Sequence, residues 1–304
     1  MKNALGRIGL TLVVLISLLA LGSPAQATPF NGAGFYYAGG SQTFTGTDYV
    51  RGLSANVLVT KPFVPNVTSG GVYDHSLIDL VISETTSGVA GNAVEAGIAV
   101  NPNVWGDFNP HLFGCAWSAS VAYGCWTGGT AFVDNGGYAV NLGSDLTADI
   151  GPLAKQLQVY WSNTACGADA SGVFITYAGT SVGCFKQSTF SGGYSTNKFV
   201  QAFGEYHYNG ANNPGTSDDK PCGDNGNGNT PAGSGSGAAY VGSLSIVNPS
   251  PGTLTTSFTK FTSTDSSAYD MVFATGSTRT FYYGGAGYKF VSGVATTPGN
   301  IGSC

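Results

Sequence analysis

Ala93-Val94-Glu95-Ala96-Gly97-Ile98-Ala99-Val100 alternates two kinds of side chain, and its one acid falls among the smaller ones. In an extended strand successive side chains point to opposite faces. Val94, Ala96, Ile98 and Val100 therefore form a core face. Ala93, Glu95, Gly97 and Ala99 form the other, where little bulk stands above the sheet. A carboxylate in such an apolar strand is costly unless something uses it.

The same period of two recurs along the chain. Leu77-Ile78-Asp79-Leu80-Val81-Ile82, Leu157-Gln158-Val159-Tyr160-Trp161, Val173-Phe174-Ile175-Thr176-Tyr177 and Tyr240-Val241-Gly242-Ser243-Leu244-Ser245-Ile246 are short β runs bounded by turn residues. Glycine is abundant, at 47 residues, and no long segment shows a capped period of 3.6. Many short strands at this spacing predict an all-β sandwich or barrel. Only Leu146 to Lys155 could turn into a short helix, limited by Pro152. Asn209 to Ser236 is a long Gly/Asn/Asp/Pro stretch, read as a functional or mobile loop.

Phe199 to Tyr208 carries a second acid. Phe199, Gln201, Phe203, Glu205 and His207 share one face, and Gly204 beside the acid permits close approach. Only three glutamates occur in the chain: Glu84, Glu95 and Glu205. If Glu95 and Glu205 meet on one open face, they cannot both ionise easily. One then becomes an acid and the other a base, a pair that can activate water and protonate a leaving group. That chemistry serves peptide and glycosidic bonds equally.

The N-terminus reads as an export signal. Lys2 and Arg7 precede an apolar run from Ile8 to Leu21, and Ala25-Gln26-Ala27 supplies a small-x-small cleavage site. The expected organisation is a signal peptide over 1–27, an N-terminal segment over 28–48 and a domain over 49–304. Loss of Lys2 and Arg7 leaves nine basic against 16 acidic residues, a net charge of −7. Such a balance excludes a nucleic-acid partner. No second apolar run suggests a membrane span after processing, and a monomer acting outside the cell is expected. Charged residues make up only 9% of the chain, which limits self-repulsion in acid.

Six cysteines in an exported chain imply disulfides, with fifteen possible connectivities. Short loops favour Cys115–Cys125 and Cys166–Cys184, and elimination leaves Cys222–Cys304. With no C-x-x-C spacing and three histidines, no metal or other cofactor is expected.

These motifs resemble the neprosin (glutamic peptidase) domain. Val94-Glu95-Ala96-Gly97 is similar to its E-A-G strand, and Gly106-Asp107-Phe108-Asn109-Pro110-His111-Leu112-Phe113 to its G-D-x-x-P-R-L-F turn and strand. Gly204-Glu205-Tyr206 resembles the later G-E-V strand. Thr216-Ser217 and Gly226-Asn227-Gly228 resemble its T-S and G-S-G loop, and Phe281-Tyr282-Tyr283-Gly284-Gly285-Ala286-Gly287 its C-terminal F-Y-Y-G-G-P-G. The resemblance runs from about Tyr49 to Cys304. It implies a jelly-roll-like β-sandwich of two antiparallel sheets, with catalytic Glu95 and Glu205 hydrolysing proteins or peptides at acid pH without metal. His111 stands where the family has arginine. Plant members carry a pro-domain, for which Thr28 to Asp48 leaves no room.

Gln201, Trp105 and Trp117 are candidate substrate-binding residues, Gln201 as a donor to a developing oxyanion. His207 shares the Glu205 face and could tune its ionisation. Two other readings compete with the peptidase: a glycoside hydrolase using the same pair, and a non-catalytic extracellular binding module.

Overall fold

A computed structural model describes residues 34–285, apart from 60–63, 65–67, 70, 87, 137–139, 152, 209–238, 248–256, 263–268 and 274–275. The expected signal peptide, the Asn209 to Ser236 stretch and the Cys222–Cys304 pairing lie outside the described residues. The strands are β1 (Gly34–Thr43), β2 (Gly52–Val57), β3 (Thr68–Ser69), β4 (Val72–Tyr73), β5 (His75–Ser83), β6 (Ala93–Val100), β7 (His111–Ser118), β8 (Val121–Tyr123) and β9 (Phe132–Asp134). They continue as β10 (Lys155–Ser162), β11 (Gly172–Tyr177), β12 (Thr180–Lys186), β13 (Phe199–Tyr208), β14 (Ala239–Val247), β15 (Thr259–Thr262), β16 (Tyr269–Phe273) and β17 (Phe281–Gly285).

Two antiparallel sheets hold nearly all of them. One runs β15-β1-β13-β5-β6-β7-β8 and the other β16-β17-β14-β2-β10-β11-β12-β9, with β3 and β4 forming a small hairpin ladder. The sheets pack face to face, so each buries one alternating set of side chains. From the first sheet these are Ile78, Leu80, Ile82, Val94, Ala96, Ile98, Leu112, Ala116, Val200 and Ala202. From the second come Leu53, Ala55, Val57, Leu157, Val159, Val173 and Ile175. Each fully buried Leu, Ile or Val contributes about 1.5–3 kcal/mol of transfer free energy.

The sheets are also tied by hydrogen bonds. Asn197, just before β13, is fully buried. Its Nδ2 donates to Val50 O (3.1 Å) and Arg51 O (2.9 Å), at the entry to β2. The Tyr194 hydroxyl donates to Asn197 Oδ1 at 2.5 Å. These bonds satisfy backbone groups where the chain would otherwise leave carbonyls unpaired between layers.

Two elements differ from the sequence expectation. Leu146 to Lys155 makes one 3-10 turn at Thr147–Asp149 and enters β10 at Lys155. Tyr177 explains the arrest, since its hydroxyl donates to Asp149 Oδ2 (2.9 Å), while Lys155 Nζ pairs with Asp149 Oδ1 (2.7 Å). The segment placed ahead of the domain, residues 28–48, supplies β1, which pairs with β13 from Gly34–Tyr208 to Thr43–Phe199. Its glycine-rich sequence, GFYYAGGSQT, hides the alternation that marks the other strands.

Disulfides Cys115–Cys125 and Cys166–Cys184 form as the loop lengths predict. Among the described residues no helix is long and apolar enough to cross a membrane.

A carboxyl cluster on one sheet face

The first sheet turns its second face away from the sandwich core, and this face carries the chemistry. Register fixes who stands there. β5 runs between β6 and β13, with Val81 opposite Glu95 on one side and Leu77 opposite Glu205 on the other. Glu95 and Glu205 are therefore not on adjacent strands, and Asp79 lies between them. Asp79 pairs with Gly97 in β6 and Phe203 in β13. With strands about 4.8 Å apart and rising about 3.3 Å per residue, the two glutamate Cα atoms span a diagonal of roughly 16 Å with Asp79 at its middle.

The small residues around Glu95 do not leave the face empty. A Cβ placed on Gly97 would come within 2.6 Å of the Phe113 ring and 2.0 Å of Ile78 O. Gly97 thus lets an aromatic from β7 lie over the sheet, beside the carboxyl. Phe113 in turn packs on Trp126 (ring centroids 5.4 Å), and Trp126 meets His75 edge-on at 5.6 Å.

These rings and the Cys115–Cys125 disulfide wall a cleft of about 350 Å³, also lined by His75, Leu77, Glu95, Trp117 and Glu205. Of the three candidate substrate-binding residues, Trp117 lines the cleft. Trp105 stands behind it, stacked on His111 (4.3 Å) and edge-on to Trp126 (5.8 Å). Gln201 shares the glutamate face, but it is 0% exposed, and among the described residues neither amide atom finds a hydrogen-bond partner or lines the cleft. A buried amide cannot donate to a substrate oxyanion without moving. Trp126 was missed because it sits in a turn, outside any alternating run, with φ at +75°.

Burial dominates the electrostatics. Glu95 is 3% exposed and its carboxyl is pushed up to about 7, because the charged form loses its water; the nearby Trp117 indole opposes the rise. That indole N–H lies close to the carboxyl without hydrogen-bond geometry, and Glu95 Oε1 has no donor among the described residues. Glu205 is pushed up to about 8, by burial first and the Glu95 charge second. Asp79, fully buried, is raised well above its ordinary value by burial and then by both glutamates. Burial also lowers His207 to about 4, and burial first and the His207 charge second lower His75 well below its ordinary value. The two imidazoles lie 4.5 Å apart, so protonating one penalises the other.

Asp79 was legible in principle. An acid inside Leu77-Ile78-Asp79-Leu80-Val81-Ile82 is the same signal that singles out Glu95. Its side chain falls on the glutamate face only because β5 sits between β6 and β13, which no local pattern reveals.

Asp107, His111 and Asp145 bring possible metal-ligand atoms within 4.8 Å of one another. The imidazole is already engaged there, with Nε2 2.9 Å from Asp107 Oδ1 and Nδ1 2.9 Å from Gly143 O. Both ring nitrogens are engaged with oxygen atoms, so the imidazole is committed to these contacts rather than offered to a metal. His111 instead ties the start of β7 to the flanking loops.

An antiparallel β-sandwich with its acids clustered on a sheet face defines a class of protein whose chemistry is carried by carboxyl groups on rigid strands. The chain belongs to the Neprosin family, whose sequence profile matches residues 72–286, more than half of its length. Membership points to a peptidase-like hydrolase. No curated protein matches the sequence significantly. A solved structure with some likeness is the β-porphyranase BpGH16B from the human gut bacterium Bacteroides plebeius, at 12% identity and a TM-score of 0.20, covering 57% of this chain and 59% of that one. A likeness this low carries no argument about substrate.

Proposed function

We propose that this chain is a secreted glutamic endopeptidase, hydrolysing peptide bonds through Glu95 and Glu205 with an activated water. The observation that carries this reading is their placement, two buried glutamates lining one cleft on the same sheet face. Such a pair works when it holds a single proton. Trp117 beside Glu95 favours its ionised form, so Glu95 takes the proton from water as it attacks the scissile carbonyl. Glu205, protonated, polarises that carbonyl and then gives its proton to the leaving amine. The proton count balances over one turnover, since Glu95 gains the proton that Glu205 loses, and exchange with solvent resets the pair.

Burial lifts both carboxyls above the usual range. The rate should follow a bell whose limbs are displaced upward from those of ordinary carboxylates. Export is supported by the N-terminal signal pattern and by two disulfides.

The test is digestion of denatured casein across pH 2.5 to 7 by the parent, Glu95→Gln and Glu205→Gln, with peptide products mapped. Each variant should lose at least about a hundredfold in rate, as expected for removal of a general acid or base, while remaining folded. Retained proteolysis in either variant overturns the mechanism. Sugar release from a polysaccharide panel, with no peptide products, would assign the pair to glycosidic bonds instead.

A further inference from the structure

Asp79 has no role in the two-glutamate reaction as it stands, yet it occupies the centre of the site. Glu95 lies two residues beyond it along β5 on one flank, and Glu205 two residues before it on the other. Strand spacing and rise put its Cα about 8 Å from each glutamate Cα. Both its carboxyl oxygens are buried with no hydrogen-bond donor among the described residues. Groups facing it are Glu95 from β6, Glu205 and His207 from β13, His75 from its own strand, and Tyr37, which pairs with Glu205 from β1. None supplies a cation, because burial keeps both imidazoles neutral.

An ionised carboxylate here would have neither a donor among the described residues nor a counter-charge, and burial makes such a charge costly. A protonated carboxyl avoids that cost and can donate a hydrogen bond to an ionised neighbour. We infer that Asp79 is held as a neutral acid that donates its O–H to the ionised glutamate, Glu95, and so is a positioning residue for the base. This rests on the reading of Glu95 and Glu205 as the hydrolytic pair. The proton stays on Asp79 throughout, so the balance of the reaction is unchanged. The donor does what a solvating water would do in an open site, without needing room for one.

Asp79→Asn and Asp79→Leu separate the possibilities. Asparagine keeps a donor and stays neutral, so the acid limb of the pH–rate profile should hardly move. Leucine removes the donor. Its acid limb should rise by about one pH unit or more, with kcat falling about tenfold or more at nearly constant KM, as expected for loss of a hydrogen bond to a charged group. An unmoved acid limb in a folded Asp79→Leu protein overturns the inference. So does a basic limb that falls in Asp79→Asn, which would mean Asp79 carried a charge. Infrared difference spectra of parent against Asp79→Asn at pH 6 give a readout free of activity. A carboxylic-acid C=O band lost in the variant supports the neutral acid, and loss of a carboxylate band instead refutes it. Proteolysis surviving in the Gln variants would sink the hydrolytic reading while this band still reported on Asp79.

Discussion

Glu95→Gln should stabilise the protein at pH 8 and leave its stability unchanged at pH 4. The folded carboxyl titrates at about 7 against an ordinary value of 4.5. Below 4.5 it is protonated in both the folded and unfolded chains, and glutamine is then an equivalent neutral group. Between 4.5 and 7 the unfolded chain releases the proton and the folded chain keeps it. The parent therefore loses stability as pH rises, at about 1.4 kcal/mol per pH unit. By pH 8 the loss comes to about 3 kcal/mol, a burden that glutamine never carries. For a domain of this size that is a Tm gain of roughly 10 °C in the variant. Urea unfolding followed by circular dichroism at pH 4 and pH 8 reads the difference directly. His75 and His207 act in the opposite sense: burial depresses both, so they remove stability as pH falls below 6.5, for His207 through about 4. They do so in parent and variant alike, so the comparison cancels them. An equal shift at both pH values, or none at pH 8, would show that burial does not hold the Glu95 proton.

Gly97→Ala should cost about 3 kcal/mol, the upper end for overpacking, because the new Cβ meets Ile78 O at 2.0 Å and the Phe113 ring at 2.6 Å; a fall in urea midpoint with unchanged slope checks it. Replacing both Cys115 and Cys125 by alanine should cost about 2–3 kcal/mol from the ten-residue separation. Because that bridge walls the cleft, KM for casein should rise more than kcat falls, whereas removing Cys166–Cys184 should lower stability without that kinetic signature.

The alternation in Ala93 to Val100 and in Phe199 to Tyr208 was enough to put Glu95 and Glu205 on faces opposite the core, and the structure keeps both there. The short disulfide loops were equally legible, since ten and eighteen residues constrain the partner strongly. Gln201 was also placed on the right face. Its depth was not legible, because exposure depends on what packs above a strand rather than on which way the strand points. Trp105 and Trp126 show the same limit. Both are tryptophans near the site, and only the turn at Trp126 decides which one reaches the cleft.

By itself the sequence determined the strands that alternate clearly, their inward and outward faces, the two local disulfides and the identity of two acids placed where acids are costly. Those properties follow from periods of two and from short loops, which are local. Tertiary structure alone decided that β5 separates the two glutamates, that Asp79 therefore joins them, and that burial raises all three carboxyls above their ordinary range. Strand order and burial come from pairing between segments more than a hundred residues apart, and a carboxyl's ionisation follows from those neighbours, not from its place in the chain.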